Sequence, residues 1–145
     1  MLILGLLAFQ RYAVETRLRM HIRFITQWPQ AVALLAEPQN APRALKLLAM
    51  MIDDIWQYCG DTTATNDINW YTKRVMLTGV YTATEVFMMQ DNSEDFHDTW
   101  QFLDRRLDDV ATLGKQTAGL KELSPIASSL FATLKNVVGA PGPRY

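Results

Sequence analysis

The sequence predicts an all-α fold, a bundle of about six helices in a chain of 145 residues. Three observations lead to this prediction. The prolines and glycines fall mostly at spacings of helix length. The segments between them repeat apolar residues every three or four positions, and no segment alternates apolar and polar residues as a strand would. Because 49% of the residues are hydrophobic, the chain can bury the core of one domain.

The composition excludes several classes of protein. A formal net charge of −1 lacks the basic excess that is typical of nucleic-acid-binding proteins. The single cysteine, Cys59, excludes a disulfide framework within the chain and a cysteine-built zinc site. No stretch reaches the roughly 18 consecutive apolar residues that span a bilayer. The apolar start, residues 1–9, lacks the basic leader and cleavage site of a signal peptide, so we expect no targeting segment here.

The first three helices are bounded by prolines and a glycine. The first is expected over about Leu2–Trp28, because Pro29 disfavours helix at the residue before it. A short second helix runs from Pro29 to Ala36, since proline is tolerated in a first turn. The third spans about Pro42–Cys59 and ends at Gly60. Its apolar arc is wide, which indicates burial on two sides, or burial on one side and a cavity on the other.

The fourth helix is expected over about Ile68–Gln90, with Asp67 as its N-cap. Projected at about 100° per residue, it carries two separate stripes. One stripe is a broad apolar arc, which we interpret as the buried face. Its members are Val75, Met76, Gly79, Val80, Ala83, Val86 and Phe87. The other stripe contains Trp70, Arg74, Leu77 and Tyr81, and its separation from the arc predicts an exposed patch.

The fifth helix is announced by a capping-box pattern at residues 91–94 and is expected to end at Gly114. Its single narrow stripe contains Phe96, Trp100, Leu103, Leu107 and Val110. We therefore expect a body over residues 1–113, a linker over 114–123, an amphipathic last helix over 124–138 and a flexible tail over 139–145. The last helix either lies on a membrane or in a partner's groove, or packs back on its own bundle.

The sequence carries no convincing catalytic motif. The sequence has no Gly-x-Ser-x-Gly and no glycine-rich phosphate loop. Glu94 and His97 form one Glu-x-x-His motif, whereas di-iron bundles use two of them with two further glutamates. The sequence therefore predicts no enzyme, no metal site and no cofactor.

Two adjacent acids in the third helix, Asp53 and Asp54, point about 100° apart and cannot easily share an ion. We expect one of them to pair with Lys73 or Arg74 on the neighbouring helix. The wide apolar arcs, together with a stripe of aromatic residues and arginine, are typical of a binding protein.

Four stretches, residues 51–61, 67–74, 88–91 and 98–103, together resemble the lipid-binding family of coenzyme Q (ubiquinone) biosynthesis, the ninth of the COQ set. The motifs Asp-Asp-x-Trp and Asn-Trp-Tyr-Thr are specific in combination, and the similarity covers about residues 11–138. The resemblance implies the ligand-binding body of a TetR-like fold, with the N-terminal DNA-binding-type head absent.

The resemblance also implies a function. Members of the family bind isoprenoid lipids, including quinone intermediates, and present them to the di-iron demethoxyubiquinone hydroxylase without being established as catalysts themselves. They associate peripherally with the matrix side of the mitochondrial inner membrane, and a transit peptide is expected in the full-length protein. Whether the chain forms a homodimer is left open. The alternative is the body of a ligand-sensing TetR-type transcriptional regulator, and an enzyme ranks third.

Three sets of site residues follow. Carried over from the family, the hydroxylase-facing patch contains Asp67, Trp70, Tyr71 and Arg74, with Ile55 where the family is expected to have methionine. The apolar arcs give the lipid-lining set Leu48, Met51, Ile52, Met76, Val80 and Phe87. The last helix contributes the membrane-binding set Leu130, Phe131, Leu134 and Val138.

Overall fold

A computed structural model describes residues 2–65 and 67–115, and within them the chain forms five α-helices, two short 3-10 helices and no strand. The α-helices are α1 (Leu2–Arg19), α2 (Trp28–Leu35), α3 (Ala41–Tyr58), α4 (Ile68–Met88) and α5 (His97–Lys115). The 3-10 helices are Ile22–Phe24 and Glu94–Phe96. This confirms the all-α prediction. The predicted linker beyond residue 115, the last helix and its membrane-binding set lie outside the described residues.

The hydrophobic core lies where α4 packs between α3 and α5 and where α1 packs against α5. Its buried apolar side chains are Val14, Leu18, Ile52, Ile55, Trp56, Leu77, Val80, Tyr81, Met88, Trp100, Leu103 and Leu107. The predicted stripe of α5 is confirmed, because its three central members are buried and Phe96 and Val110 pack against the core. Helix α2 has no buried residue and lies on the outside of the bundle.

The prediction that the first helix reaches Trp28 is wrong, because α1 ends at Arg19. The chain then tightens into turns of the 3-10 type, in which the His21 amide donates to the Leu18 carbonyl over 2.9 Å. The ring of His21 is buried and stacks on Trp28 with a centroid distance of 3.9 Å. Burial of this histidine against a later residue fixes the turn, and no local helix-stop signal accompanies it.

The ends of α3 and α4 confirm the sequence signals. Gly60 follows α3 with φ of 77°, the left-handed conformation that glycine adopts at low cost. The Asp67 carboxylate accepts a hydrogen bond from the Asn69 amide over 2.9 Å, as an N-cap should. The start of α5 is different from the predicted capping box. There the Asp91 carboxylate accepts from the Thr99 amide over 2.9 Å, and the helix begins at His97.

The predicted faces of α4 are wrong at Leu77, Tyr81, Gly79 and Val86, and right at Val80, which is buried. Leu77 and Tyr81, predicted to be exposed, are 2% and 4% exposed and belong to the core. Val86, predicted to be buried, is 49% exposed, and Gly79 is exposed as well. Both neighbouring helices pack on the side of Leu77 and Tyr81, which leaves Gly79 and Val86 on the outer surface, whereas Val80 of the same arc is buried in the core.

Candidate binding sites on the surface of α4

Arg74 is the centre of an ionic cluster that joins α4 to α3 and to the loop between them. It is 9% exposed, and its Nη2 lies 2.7 Å from Asp53 Oδ1 while its Nη1 lies 3.1 Å from Asp61 Oδ2. The guanidinium carbon lies 3.8 Å from the centroid of the Trp70 ring, the geometry of a cation–π contact. The prediction that one of the two adjacent acids of α3 pairs with a cation of the neighbouring helix is therefore confirmed, and the acid is Asp53.

Lys73 completes this cluster from the loop side. Its Nζ lies 2.9 Å from Asp61 Oδ1 and 2.7 Å from Thr63 Oγ1. Burial alone would raise the pKa of the Asp61 carboxyl, but the hydrogen bonds from Lys73, Thr63 and Arg74 outweigh it. The pKa of Asp61 therefore lies far below its usual range. The aspartate is ionised at neutral pH and fixes the start of the loop against α4.

Only part of the predicted hydroxylase-facing patch reaches the surface. Trp70 and Tyr71 are half-buried and pack edge to face, with ring centroids 5.0 Å apart. Asp67 is half-buried at the start of the same helix. Arg74 and Ile55 are buried, Ile55 within the hydrophobic core, so they support the patch from below.

The predicted lipid-lining residues do not share one environment. Ile52 and Val80 are fully packed in the core, and Leu48 and Met51 pack against its edge. Met76 is half-buried on α4. Phe87 is half-buried farther along the same helix, beside a depression in the surface.

The depression has a volume of about 480 Å³ and opens between α4 and α5. It is lined mostly by apolar atoms of Thr82, Ala83, Val86, Phe87, Gln90 and Phe102. The rings of Phe87 and Phe102 stack with centroids 4.6 Å apart. Phe102 was missed by the sequence analysis, although one signal was available. It is a large aromatic residue lying outside the single apolar stripe of its helix.

A second polar cluster holds α2 onto the bundle. The Glu85 carboxylate accepts a hydrogen bond from Trp28 Nε1 over 3.0 Å, and Arg17 Nη1 lies 2.8 Å from His21 Nε2. Burial, followed by the charge of Arg17, lowers the pKa of His21 to about 4, so this ring is neutral at neutral pH. Burial also raises the pKa of Glu85. Trp28 is thus the residue that tethers α2, and the sequence analysis did not single it out.

The candidate chemical groups Glu94, His97 and Cys59 do not form a joint site. Glu94 and His97 are exposed, and His97 Nε2 lies 2.9 Å from Gln101 Nε2. Over residues 2–65 and 67–115, no group of three or more His, Cys, Asp or Glu side chains is placed to hold a metal ion. Burial, helped by the charge of Asp61, raises the pKa of the Cys59 thiol to about 11, so the thiol is protonated at neutral pH. None of the helices described is long and apolar enough to cross a membrane.

Comparison with known proteins identifies a matching protein family. Residues 41–114, which contain α3, α4 and most of α5, match the model of the COQ9 family. The chain is 51% identical over 136 residues to the mitochondrial ubiquinone biosynthesis protein COQ9 of Xenopus tropicalis, covering 90% of this chain and 42% of that protein. It is 46% identical over 135 residues to the human protein of that name, covering 90% of this chain and 42% of that protein.

A more distant relative gives the same picture. The mitochondrial ubiquinone biosynthesis protein COQ9 of Drosophila melanogaster is 40% identical over 137 residues, which cover 92% of this chain and 41% of that protein. The chain therefore spans about four tenths of the length of these curated relatives. The family match covers both motifs and the whole ionic cluster around Arg74.

Proposed function

This chain belongs to the COQ9 family, and on that basis we propose that it acts in ubiquinone biosynthesis as a non-enzymatic lipid-binding protein. It binds isoprenoid lipids, including quinone intermediates, and presents them to the di-iron demethoxyubiquinone hydroxylase. The family match over residues 41–114 is the observation that carries this proposal. The relatives are named as mitochondrial proteins, which supports a mitochondrial location, and within it we propose a peripheral position on the matrix side of the inner membrane.

The depression between α4 and α5 supports the lipid-binding part of the proposal. Its volume of about 480 Å³ is within the range of small-molecule sites, and its aromatic wall suits an isoprenoid chain. Leu48, Met51 and Met76, which are only partly buried, remain in the proposed lipid-facing set together with Phe87. A lipid would reach Ile52 and Val80 only by separating α3 from α4, because both side chains are packed in the core.

Native mass spectrometry of the purified full chain tests this proposal. We expect a reproducible isoprenoid adduct on the folded protein, and we expect Phe87→Asp to reduce the bound fraction at least tenfold. Leu113→Asp is the matched control, because Leu113 is an exposed apolar residue on α5 that does not line the depression. Folded protein that never carries a lipid would overturn the function. Lipid retained equally by both variants would overturn only the placement of the lipid site at the depression.

A second prediction concerns the hydroxylase. Trp70→Ala should weaken binding to the hydroxylase about thirtyfold, since an aromatic interface anchor contributes about 2 kcal/mol. Trp70 is the best probe of the patch, because its ring is half-buried above Arg74 and its loss removes no buried charge. Isothermal titration calorimetry measures the affinity of each protein for the hydroxylase, and circular dichroism verifies that the variant keeps its helicity.

The matched control for Trp70 is Tyr12→Ala, an aromatic residue that is well exposed on α1. We expect that variant to bind the hydroxylase as the unchanged chain does. Equal affinities for all three proteins would remove Trp70 from the patch.

The second candidate, the body of a ligand-sensing TetR-type regulator, rests on the predicted fold alone. The names of the three relatives speak of ubiquinone biosynthesis and not of transcription, so they favour the first proposal.

A further inference from the structure

The exposed apolar side chains of this protein are concentrated in one part of the chain. Six of the eleven large hydrophobic residues that are exposed in the described structure fall between residues 20 and 52. They are Met20, Phe24, Leu34, Leu35, Leu47 and Met50. Isolated exposed apolar residues are ordinary, but a concentration on neighbouring elements indicates an interaction surface.

Four of these six residues lie on the two helices that flank the turn between α2 and α3. The Asn40 side-chain amide donates a hydrogen bond to the Leu34 carbonyl over 2.9 Å, which places the end of α2 against the first turn of α3. From that turn Leu47 and Met50 continue along one exposed stripe, since they are three residues apart on the helix. Leu34 is 57% exposed and Leu47 is 56% exposed.

The corner is basic as well as apolar. Arg43 and Lys46 are exposed on the same stripe of α3 as Leu47 and Met50. We define these two, with Leu34, Leu35, Leu47 and Met50, as the α2–α3 corner. The nearest acid in sequence, Glu37, accepts a hydrogen bond from Gln39 over 2.6 Å.

The charge of the described chain divides between its first and second halves. Residues 2–52 carry six basic and two acidic side chains, whereas residues 53–115 carry five basic and twelve acidic ones. An anionic surface would therefore attract the corner more strongly than the segments beyond residue 52. Apolar residues flanked by lysine and arginine are the composition of elements that lie in the headgroup region of a membrane.

We propose that the α2–α3 corner docks the protein on an anionic lipid surface, with Leu34, Leu35, Leu47 and Met50 entering the headgroup region and Arg43 and Lys46 contacting lipid phosphates. This inference specifies which surface of the protein contacts the membrane. It rests on the proposed function only for the assumption that the protein acts at a membrane. The weak packing of α2, which is tethered through Trp28 and buries no residue, leaves its apolar outer side available for this contact.

Flotation with vesicles tests the docking surface in the full chain. The vesicles contain neutral phosphatidylcholine, either alone or with about one third of an anionic phospholipid. We expect binding to the anionic vesicles that decreases with salt. The Leu34→Ser/Leu47→Ser variant should reduce partitioning at least tenfold, because two apolar anchors are lost. Tyr12→Ser/Leu113→Ser is the matched control, since both residues are exposed apolar side chains, on α1 and α5, that belong neither to the corner nor to the depression.

Charge is tested separately by single substitutions. Lys46→Gln should weaken partitioning about fivefold, the contribution of one basic residue close to an anionic surface. Arg105→Gln removes a similarly exposed charge on α5 and should leave partitioning unchanged or strengthen it slightly. Equal losses in Lys46→Gln and Arg105→Gln would show a general charge effect and would overturn the proposal.

A last variant separates the corner from the predicted amphipathic segment near the C-terminus. In the Leu130→Ser/Leu134→Ser background, the corner substitutions must still reduce binding. No binding to anionic vesicles by the unchanged chain, or a corner effect that vanishes in this background, would overturn the docking surface. Retention of an isoprenoid lipid, measured by native mass spectrometry, is independent of either result, so the lipid-binding proposal can fail or hold separately.

Discussion

Replacing Arg74 with methionine is expected to lower the free energy of unfolding by about 3 kcal/mol or more. The substitution keeps most of the side-chain volume, but it removes the cation that pairs with both Asp53 and Asp61. The Asp61 side chain is almost fully buried and would retain Lys73 as its cation and Thr63 as a hydrogen-bond donor. A buried carboxylate that loses a partner keeps its desolvation penalty, which is why the expected loss is larger than for a surface ion pair. Urea denaturation measures it as a lower midpoint with an unchanged slope.

Two variants bracket this result. Arg74→Lys keeps the charge but cannot reach both carboxylates with a planar fork, so its loss of stability should be intermediate. Arg105→Met is the surface control and should change the free energy of unfolding by less than about 0.5 kcal/mol. If Arg74→Met were as harmless as Arg105→Met, Arg74 would be an exposed residue, as the helical projection predicted.

Acid titration provides a second test of the ionic cluster around Arg74. The pKa of Asp61 is depressed in the folded state from its ordinary value of 3.8, so its contribution to stability is present above that pH and is lost as the pH falls below it. Without Arg74 the depression is smaller. The Arg74→Met variant should therefore lose less of its remaining stability between neutral pH and pH 3 than the unchanged chain does.

The Arg74 cluster also changes how the hydroxylase-facing patch should be probed. A substitution at Arg74 alters the fold beneath the patch, so a loss of binding there would not separate a contact from a structural effect. Trp70 and Tyr71 are half-buried on the same helix, and changes there leave Asp53 and Asp61 paired. The aromatic residues are the informative positions for the partner, and the arginine is the informative position for stability.

The sequence predicted helix ends well wherever the signal was local. Gly60 after α3 and Asp67 before α4 act through the backbone of their own neighbours, so their effect needs no knowledge of the rest of the fold. The end of α1 had no such signal. It depends on the packing of His21 against Trp28, seven residues later, and on Glu85 in another helix.

The prediction of which face of α4 is buried was wrong for a related reason. A helical projection gives the angle between two stripes, but it does not give the side on which other helices pack. Arginine, tryptophan and tyrosine favour interfaces because they combine apolar area with a polar end. Here the cation of that stripe is satisfied inside the protein by Asp53 from α3 and Asp61 from the loop, a pairing that only the tertiary structure completes.

Leu77→Ala should lower the free energy of unfolding by about 2–5 kcal/mol, whereas Val86→Ala should change it by less than about 1 kcal/mol. Leu77 is packed in the core, so its truncation leaves a cavity, while Val86 lies on the outer surface beside the depression. Helix propensity does not explain the difference, because alanine is a better helix former than either residue. Thermal or urea unfolding of the two variants in parallel measures the contrast.

The opposite result would have a specific structural meaning. A large loss for Val86→Ala and a small one for Leu77→Ala would mean that the opposite face of α4 is buried, a rotation of about 180° about the helix axis. Phe87 and Val86 would then face α3 and α5, and the lipid-lining set taken from the apolar arcs would come together inside the bundle. With Leu77 in the core, the proposed lipid site is instead the open apolar wall at Phe87 and Phe102 on the outside of α4 and α5.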